Sequence, residues 1–279
     1  MLPVPNNGII GSMKTLVLTL SLFITSIAFA DVKAPSIVNN SLVEISGVGK
    51  QETKWIMFVI SKKSFEEQYT VPAYAGKFKA KVALQDGAGN YKIKIYQNTT
   101  ADRYASYKAL ELIKVENTDE RNMSFLLPTD VVQSDDPRIT ALVKNVTKDA
   151  KSKAEGFQNI YNYIAGTVKY DHVRYKNKTY MNHVYDALSV LENPVAVCSG
   201  YANLLAAMSR AYGIRAKIIN GKALMSYGWG AHAWNEVYVN NEWKMVDSTW
   251  DAGRKYQSYY FMAPDRFEND HQKEMEMRY

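Results

Sequence analysis

The stretch from Pro194 to Asp251 constrains this chain more than any other, because it sets the single cysteine, Cys198, at the head of a helical pattern. Apolar residues recur at 201, 204, 205, 208, 211 and 212, one face of a 3.6-residue period, and Gly213 stands where a C-cap glycine is expected. Ahead of the cysteine runs the short apolar segment Val195-Ala196-Val197. The spacing predicts a helix whose N-terminus lies at or just after Cys198. Unpaired amides and the helix dipole favour an anion at such a point, so a thiolate there would be stabilised.

A thiolate used as a nucleophile needs a base, and the base needs a group to orient it. The segment His232-Ala233-Trp234-Asn235-Glu236-Val237-Tyr238-Val239, then Asn240-Asn241, then Glu242-Trp243-Lys244-Met245-Val246-Asp247 reads as a β-hairpin. Asparagine tolerates the positive φ that a two-residue turn demands. With Asn240 and Asn241 as the loop, Val239 opposes Glu242, and stepping back along the ladder sets Trp234 opposite Asp247. Alternation then places His232, Trp234 and Asp247 on one face, with His232 diagonal to Asp247. A three-residue loop would shift the register and send Asp247 to the other face.

Each residue also has an ordinary reading. A lone buried cysteine is usually a small inert hydrophobe. A histidine in a strand is more often structural, Asp247 could close a strand, and Trp234 could be a wall. Those readings leave helix placement, hairpin register and motif order as three coincidences. The segments Val197-Cys198-Ser199-Gly200-Tyr201-Ala202, His232-Ala233-Trp234-Asn235-Glu236-Val237 and Val246-Asp247-Ser248-Thr249-Trp250-Asp251 resemble the transglutaminase-like superfamily. The resemblance reaches back to about Asp130, through Ser134-Asp135-Asp136-Pro137 and residues 164–171, and does not cover the first half of the chain. It implies a papain-like triad with Cys198 as nucleophile, His232 as base and Asp247 as the orienting carboxylate. Trp229, Trp234 and Tyr201 are candidates for the substrate cleft.

Residues 13–30 carry one positive charge, an apolar run and Ala28-Phe29-Ala30, which reads as a secretory signal peptide cleaved before Asp31. Residues 1–12 precede a second start at Met13, as an upstream start or an appended sequence. The apolar core is short for a membrane span. Residues 1–30 hold one lysine and no acid, so the mature chain keeps nearly all of the net charge of +6. A mildly basic exported protein suits anionic surfaces such as wall polymers, or simple solubility. The charges are spread out, and no basic run with interleaved aromatics points to nucleic acid. One cysteine allows no intramolecular disulfide, so stability has to come from apolar cores.

The expected class is α+β. Residues 31–120 show short alternating strands: Phe78, Ala80, Val82 and Leu84 alternate with Lys77, Lys79, Lys81 and Ala83, and Tyr91, Ile93 and Ile95 with Lys92 and Lys94. That pattern suggests an antiparallel sandwich of immunoglobulin type, without a Cys…Trp…Cys signature. The lysine faces read as solvated surface. Residues 121–137 are polar and proline-bearing and read as a linker. Residues 138–279 would form the transglutaminase-like domain, helices packed on an antiparallel sheet. Asp136-Pro137 opens one helix and residues 154–167 form another. Residues 180–191 suit a short helix or turn, residues 214–220 a strand, and Ser226-Tyr227-Gly228-Trp229-Gly230-Ala231 a glycine-rich loop. The tail 267–279 suits a docked terminal helix. His172 and His183 sit in aromatic-rich loop sequence with no placed acidic partner.

Metal and nucleotide readings fail on inventory: one cysteine, scattered histidines, no His-Glu-x-x-His, no phosphate-cradling loop, no dinucleotide fingerprint and no EF-hand loop. No cofactor is expected. The signal-peptide reading and the basic charge suggest a secreted or wall-associated protein, and the resemblance implies an enzyme whose partner is a protein or peptide substrate. Cys198 would attack a glutamine carboxamide or peptide carbonyl, and the acyl-thioester would pass to an amine or to water. The Cys198 N–H is a candidate oxyanion donor; papain-type enzymes carry a glutamine upstream, where this chain has Glu192 and Asn193. The competing class is a non-catalytic wall- or protein-binding module on the same scaffold, in which the thiol would be unreactive.

Overall fold

The computed structural model describes residues 31–277 except 64, 103, 104, 122 and 255–257, so the signal-peptide reading of residues 1–30 lies outside the described residues. The first eight strands are β1 (Asp31–Lys33), β2 (Ile37–Val38), β3 (Leu42–Val48), β4 (Trp55–Lys62), β5 (Phe65–Pro72), β6 (Lys77–Ala83), β7 (Gly89–Asn98) and β8 (Lys108–Asn117). They form two sheets, β1-β3-β6 and β2-β8-β7-β4-β5. The alternation predicted for β6 and β7 is present: Phe78, Ala80, Val82, Tyr91, Ile93 and Ile95 are buried, while Lys77, Lys79, Lys92 and Lys94 are exposed. The buried set joins Val43 and Ile45 of β3 and Ile56, Phe58 and Ile60 of β4 in one apolar core shared by both sheets. The continuous apolar run of β4 follows from its position between β5 and β7, away from an edge.

The second half contains α1 (Pro137–Val146), α2 (Lys153–Thr167), β9 (Lys169–Tyr170), α3 (His172–Lys176), α4 (Ala187–Glu192), β10 (Val195–Ala196) and α5 (Cys198–Ala211). It continues with β11 (Ala216–Met225), β12 (Gly228–Val239), β13 (Glu242–Val246), α6 (Ser248–Asp251), α7 (Pro264–Asp270) and β14 (His271–Met277). Asp136 caps α1, its side chain accepting from the Arg138 amide with Pro137 in the first turn, as the sequence indicates. The four-stranded sheet runs β13-β12-β11-β14, every neighbour antiparallel. Helix α5 packs on it, and α1, α2 and α4 pack on α5, around a core that includes Ile139, Phe157, Ile160, Leu204, Leu205, Ile218 and Val237. Full burial of each large side chain contributes about 1.5–3 kcal/mol, so this core, without a disulfide, holds the half together.

Helix α5 is the axis of that packing. Its residues from Gly200 to Arg210 are all buried, not just the one face that the period marks. Small residues make this possible: a Cβ on Gly200 would lie 2.5 Å from the Ala196 Cβ and 2.9 Å from the Tyr185 Cβ. The polar members are paired inside. Asn203 Nδ2 donates to the Tyr185 carbonyl, and the Arg210 guanidinium donates to the carbonyls of Ala216 and Leu127. Among the described residues, no helix is long and apolar enough to cross a membrane.

Two expectations change. Among the described residues of 118–136 there is no helix or strand, yet this stretch read as a linker is bonded to both halves of the chain. The Asp130 carboxylate accepts the Lys81 amide at 3.0 Å, and Phe125 takes Gln85 Oε1 at 2.6 Å on one side and the Ala216 amide at 3.0 Å on the other. Asp130, one of the polar residues that read as linker, is thus held on the backbone of β6. The C-terminal tail is also not a terminal helix. Helix α7 stops at Asp270, and His271–Met277 pairs with β11 as an edge strand.

Candidate functional site

The β12–β13 hairpin has the predicted turn. Asn240 and Asn241 stand at φ 55° and 63°, and the ladder pairs Val239 with Glu242 and Asn235 with Val246. Asp247 follows directly as the N-cap of α6, where its Oδ1 accepts the amides of Thr249 at 2.9 Å and Trp250 at 3.1 Å. Its Oδ2 is thereby turned to His232, whose Nε2 lies 2.7 Å away. Both side chains are almost wholly buried, at 3 % and 1 % exposure. Burial alone would lower the His232 pKa, but the Asp247 charge and hydrogen bond outweigh it and Cys198 adds to them, so the imidazolium is favoured. Burial would likewise raise the Asp247 pKa, yet His232 and His271 hold it well below the usual carboxylate range.

Cys198 is half-buried at the first position of α5, near enough to the imidazole that Asp247 grips to help raise its pKa. Asn235, on β12, ties helix to strand: its Nδ2 donates to the Ala202 carbonyl at 3.1 Å and the Lys217 carbonyl at 3.0 Å. The three residues singled out from sequence are therefore brought together. The cleft candidates fare differently. Tyr201 is completely buried with its hydroxyl on the Val168 carbonyl, so it belongs to the core and not to a cleft wall. Trp234 is buried too, its ring 6.1 Å from the His232 ring and nearly parallel, a support behind the imidazole rather than an open wall. Trp229 is exposed, but the glycine-rich loop is mostly strand: β11 and β12 continue to a turn at Ser226 and Tyr227. His172 is exposed, and His183 stacks edge-on to Tyr185.

Several site residues escaped the sequence reading. Tyr170, Tyr175 and Tyr185 stand near Cys198, and the Tyr175 hydroxyl bonds the Tyr227 hydroxyl at 2.6 Å. His271 is the larger omission. Its Nε2 lies 3.2 Å from Asp247 Oδ2 and its Nδ1 2.6 Å from Asp270 Oδ1. The histidines are thus less scattered than the inventory implies: His232, Asp247 and His271 offer ligand atoms within 4.8 Å of one another, the one such group among the described residues. The hydrogen bonds just given account for the cluster as an imidazole–carboxylate–imidazole chain. A signal existed in the alternation of Met275 and Met277, which is strand spacing.

Residues 140–248 match the family model described as Transglutaminase-like superfamily, which makes this part of the chain a transglutaminase-like region. Among particular proteins, kyphoscoliosis peptidase of Mus musculus is 28 % identical over 155 residues, covering 48 % of this chain and 23 % of the relative. The chain thus spans less than a quarter of that protein's length. A Cytophaga hutchinsonii structure provisionally described as a cysteine protease aligns at TM-score 0.41 and 16 % identity, covering 75 % of both chains. Red sea bream transglutaminase aligns at TM-score 0.30 and 12 % identity, covering 76 % of this chain and 48 % of its own.

Proposed function

We propose that this chain is a cysteine-nucleophile enzyme that breaks a peptide or glutamine carboxamide bond through an acyl-thioester. The observation that carries the reading is the 2.7 Å bond from His232 to Asp247, with Cys198 near the same ring at a helix start. Asp247 favours the protonated form of His232, so the imidazole takes up the proton of the Cys198 thiol as the sulfur attacks. The Cys198 sulfur attacks the carbonyl carbon, and the carbonyl electron pair moves onto oxygen, towards the first amides of α5. As the oxyanion collapses, the C–N bond breaks and His232 gives its proton to the leaving amine or ammonia. A water or a primary amine then attacks the thioester, its proton passes to His232, and the sulfur leaves.

The peptidase among the relatives supports a peptide carbonyl as the target, and the superfamily supports the glutamine carboxamide. The leader-like residues 13–30 support action outside the cell on a protein or peptide substrate, with wall-associated proteins as the setting. The test is a glutamine-containing peptide incubated with and without a primary amine, its products weighed by mass spectrometry. Cleavage, deamidation or amine incorporation that Cys198→Ala abolishes is the expected result. Turnover that persists in Cys198→Ala contradicts the reading.

A further inference from the structure

The geometry points to His271 as a positioning residue for the reaction: it holds the Asp247 carboxylate in the orientation in which that carboxylate grips His232. The inference rests on the triad reading above and extends it to a segment, residues 260–277, outside the matched region 140–248.

A carboxylate offers about four acceptor sites, and its orientation is fixed only when donors occupy both oxygens. The α6 amides hold Oδ1 of Asp247. On Oδ2, His232 is one donor and His271 the second, at 3.2 Å. His271 is itself fixed from behind. Its Nδ1 faces Asp270 Oδ1 at 2.6 Å, and the Tyr260 hydroxyl donates to Asp270 Oδ2 at 2.5 Å. Asp247 is held ionised and can only accept, so Nε2 is the ring nitrogen that donates to it. The ring is packed between Trp250 at 4.7 Å, Trp234 at 4.9 Å and Phe267 at 4.5 Å, and its side chain is 1 % exposed.

The strand that carries His271 is placed with equal care. Opposite His232 on β11 is Gly221, where the ladder to β14 has a bulge. A Cβ there would meet the Gln272 carbonyl oxygen at 2.1 Å and the Trp234 ring at 2.7 Å, so only glycine lets β14 approach this closely. Lys217 and Lys273 then bridge Glu236 and Glu276 across β11, β12 and β14, at distances from 2.8 to 3.5 Å. Such pairs contribute little singly, but as a network they fix one register.

The experiment compares full-length wild type with His271→Leu, His271→Gln and Asp270→Asn, with His232→Ala as a control. The readouts are the rate of Cys198 alkylation by iodoacetamide at pH 6, and kcat and KM on the peptide above. His271→Leu should lose about ten- to a hundred-fold in alkylation rate and in kcat, with KM unchanged, as a misplaced base would. His271→Gln, which keeps an amide donor, should recover most of the loss, and Asp270→Asn should fall between. Circular dichroism melts separate these losses from unfolding. If His271→Leu does not fold, Asp270→Asn decides, because it leaves the imidazole in place. The inference is overturned if the folded variants react like wild type while His232→Ala does not, or if the loss follows the unfolded fraction and glutamine fails to rescue it. If wild type is no faster than His232→Ala, the triad reading itself fails, and His271 has no base to position.

Discussion

Asp247 accepts the His232 imidazole at 2.7 Å although fifteen residues separate them, and the turn between them decides the contact. Asn240 and Asn241 both take positive φ, so β12 and β13 reverse in two residues and Asp247 leaves β13 on the face of His232. Left-handed backbone costs an ordinary residue about 1–2 kcal/mol. The double variant N240A/N241A should therefore be less stable than N240G/N241G by about 2 kcal/mol or more in urea titration. It should also alkylate more slowly at Cys198. Equal denaturation midpoints would show that the turn does not set the register.

The pair also gives stability a pH signature. Asp247 is held below its usual pKa in the folded protein, so its contribution is present above about pH 4 and is lost as pH falls through the folded value. His232 is held above its usual pKa, so its contribution is complete below about pH 6.5 and is lost as pH rises through the folded value. The stability difference between wild type and Asp247→Asn should therefore be largest between about pH 4 and 6.5 and shrink on both sides. A difference that stays flat from acid to alkaline pH would rule out this coupling.

What the sequence made legible, and what it hid, follows from the range of the forces involved. The Cys198 helix start, the Asn-Asn turn and the Asp136-Pro137 cap are written in neighbouring residues, because steric and capping rules act locally. Strand alternation in β6 and β7 is legible for the same reason. The burial of α5 on every side is not, since it depends on which helices surround it. His271 reaches Asp247 through an edge strand whose charged residues mask its period, and pairing between distant segments leaves little local trace. Tyr201 matches a motif associated with the active site, yet its direction from the helix puts it in the core.

The segment 118–136 sets the limit of any truncation. A chain beginning at Asp130 lacks the Leu127 carbonyl that accepts from the buried Arg210, and the Phe125 carbonyl that accepts the Ala216 amide. Leaving a buried donor unpaired costs about 1–3 kcal/mol. A chain beginning at Thr118 should fold and keep Cys198 reactivity, and should exceed the Asp130 version in urea midpoint. Equal midpoints for the two would mean that residues 118–129 add nothing to the second half.

The central claim is that His232 and Asp247 make Cys198 a nucleophile, and one substrate-independent measurement tests it. At pH 6, fewer than about one free thiol in a hundred is ionised, so an ordinary cysteine alkylates slowly. The rate of Cys198 alkylation by iodoacetamide should be followed at that pH in wild type, His232→Ala and Asp247→Asn. The account predicts wild type at least about tenfold faster than His232→Ala, with Asp247→Asn between them. Equal rates in all three proteins, at the level of a free thiol, would contradict it.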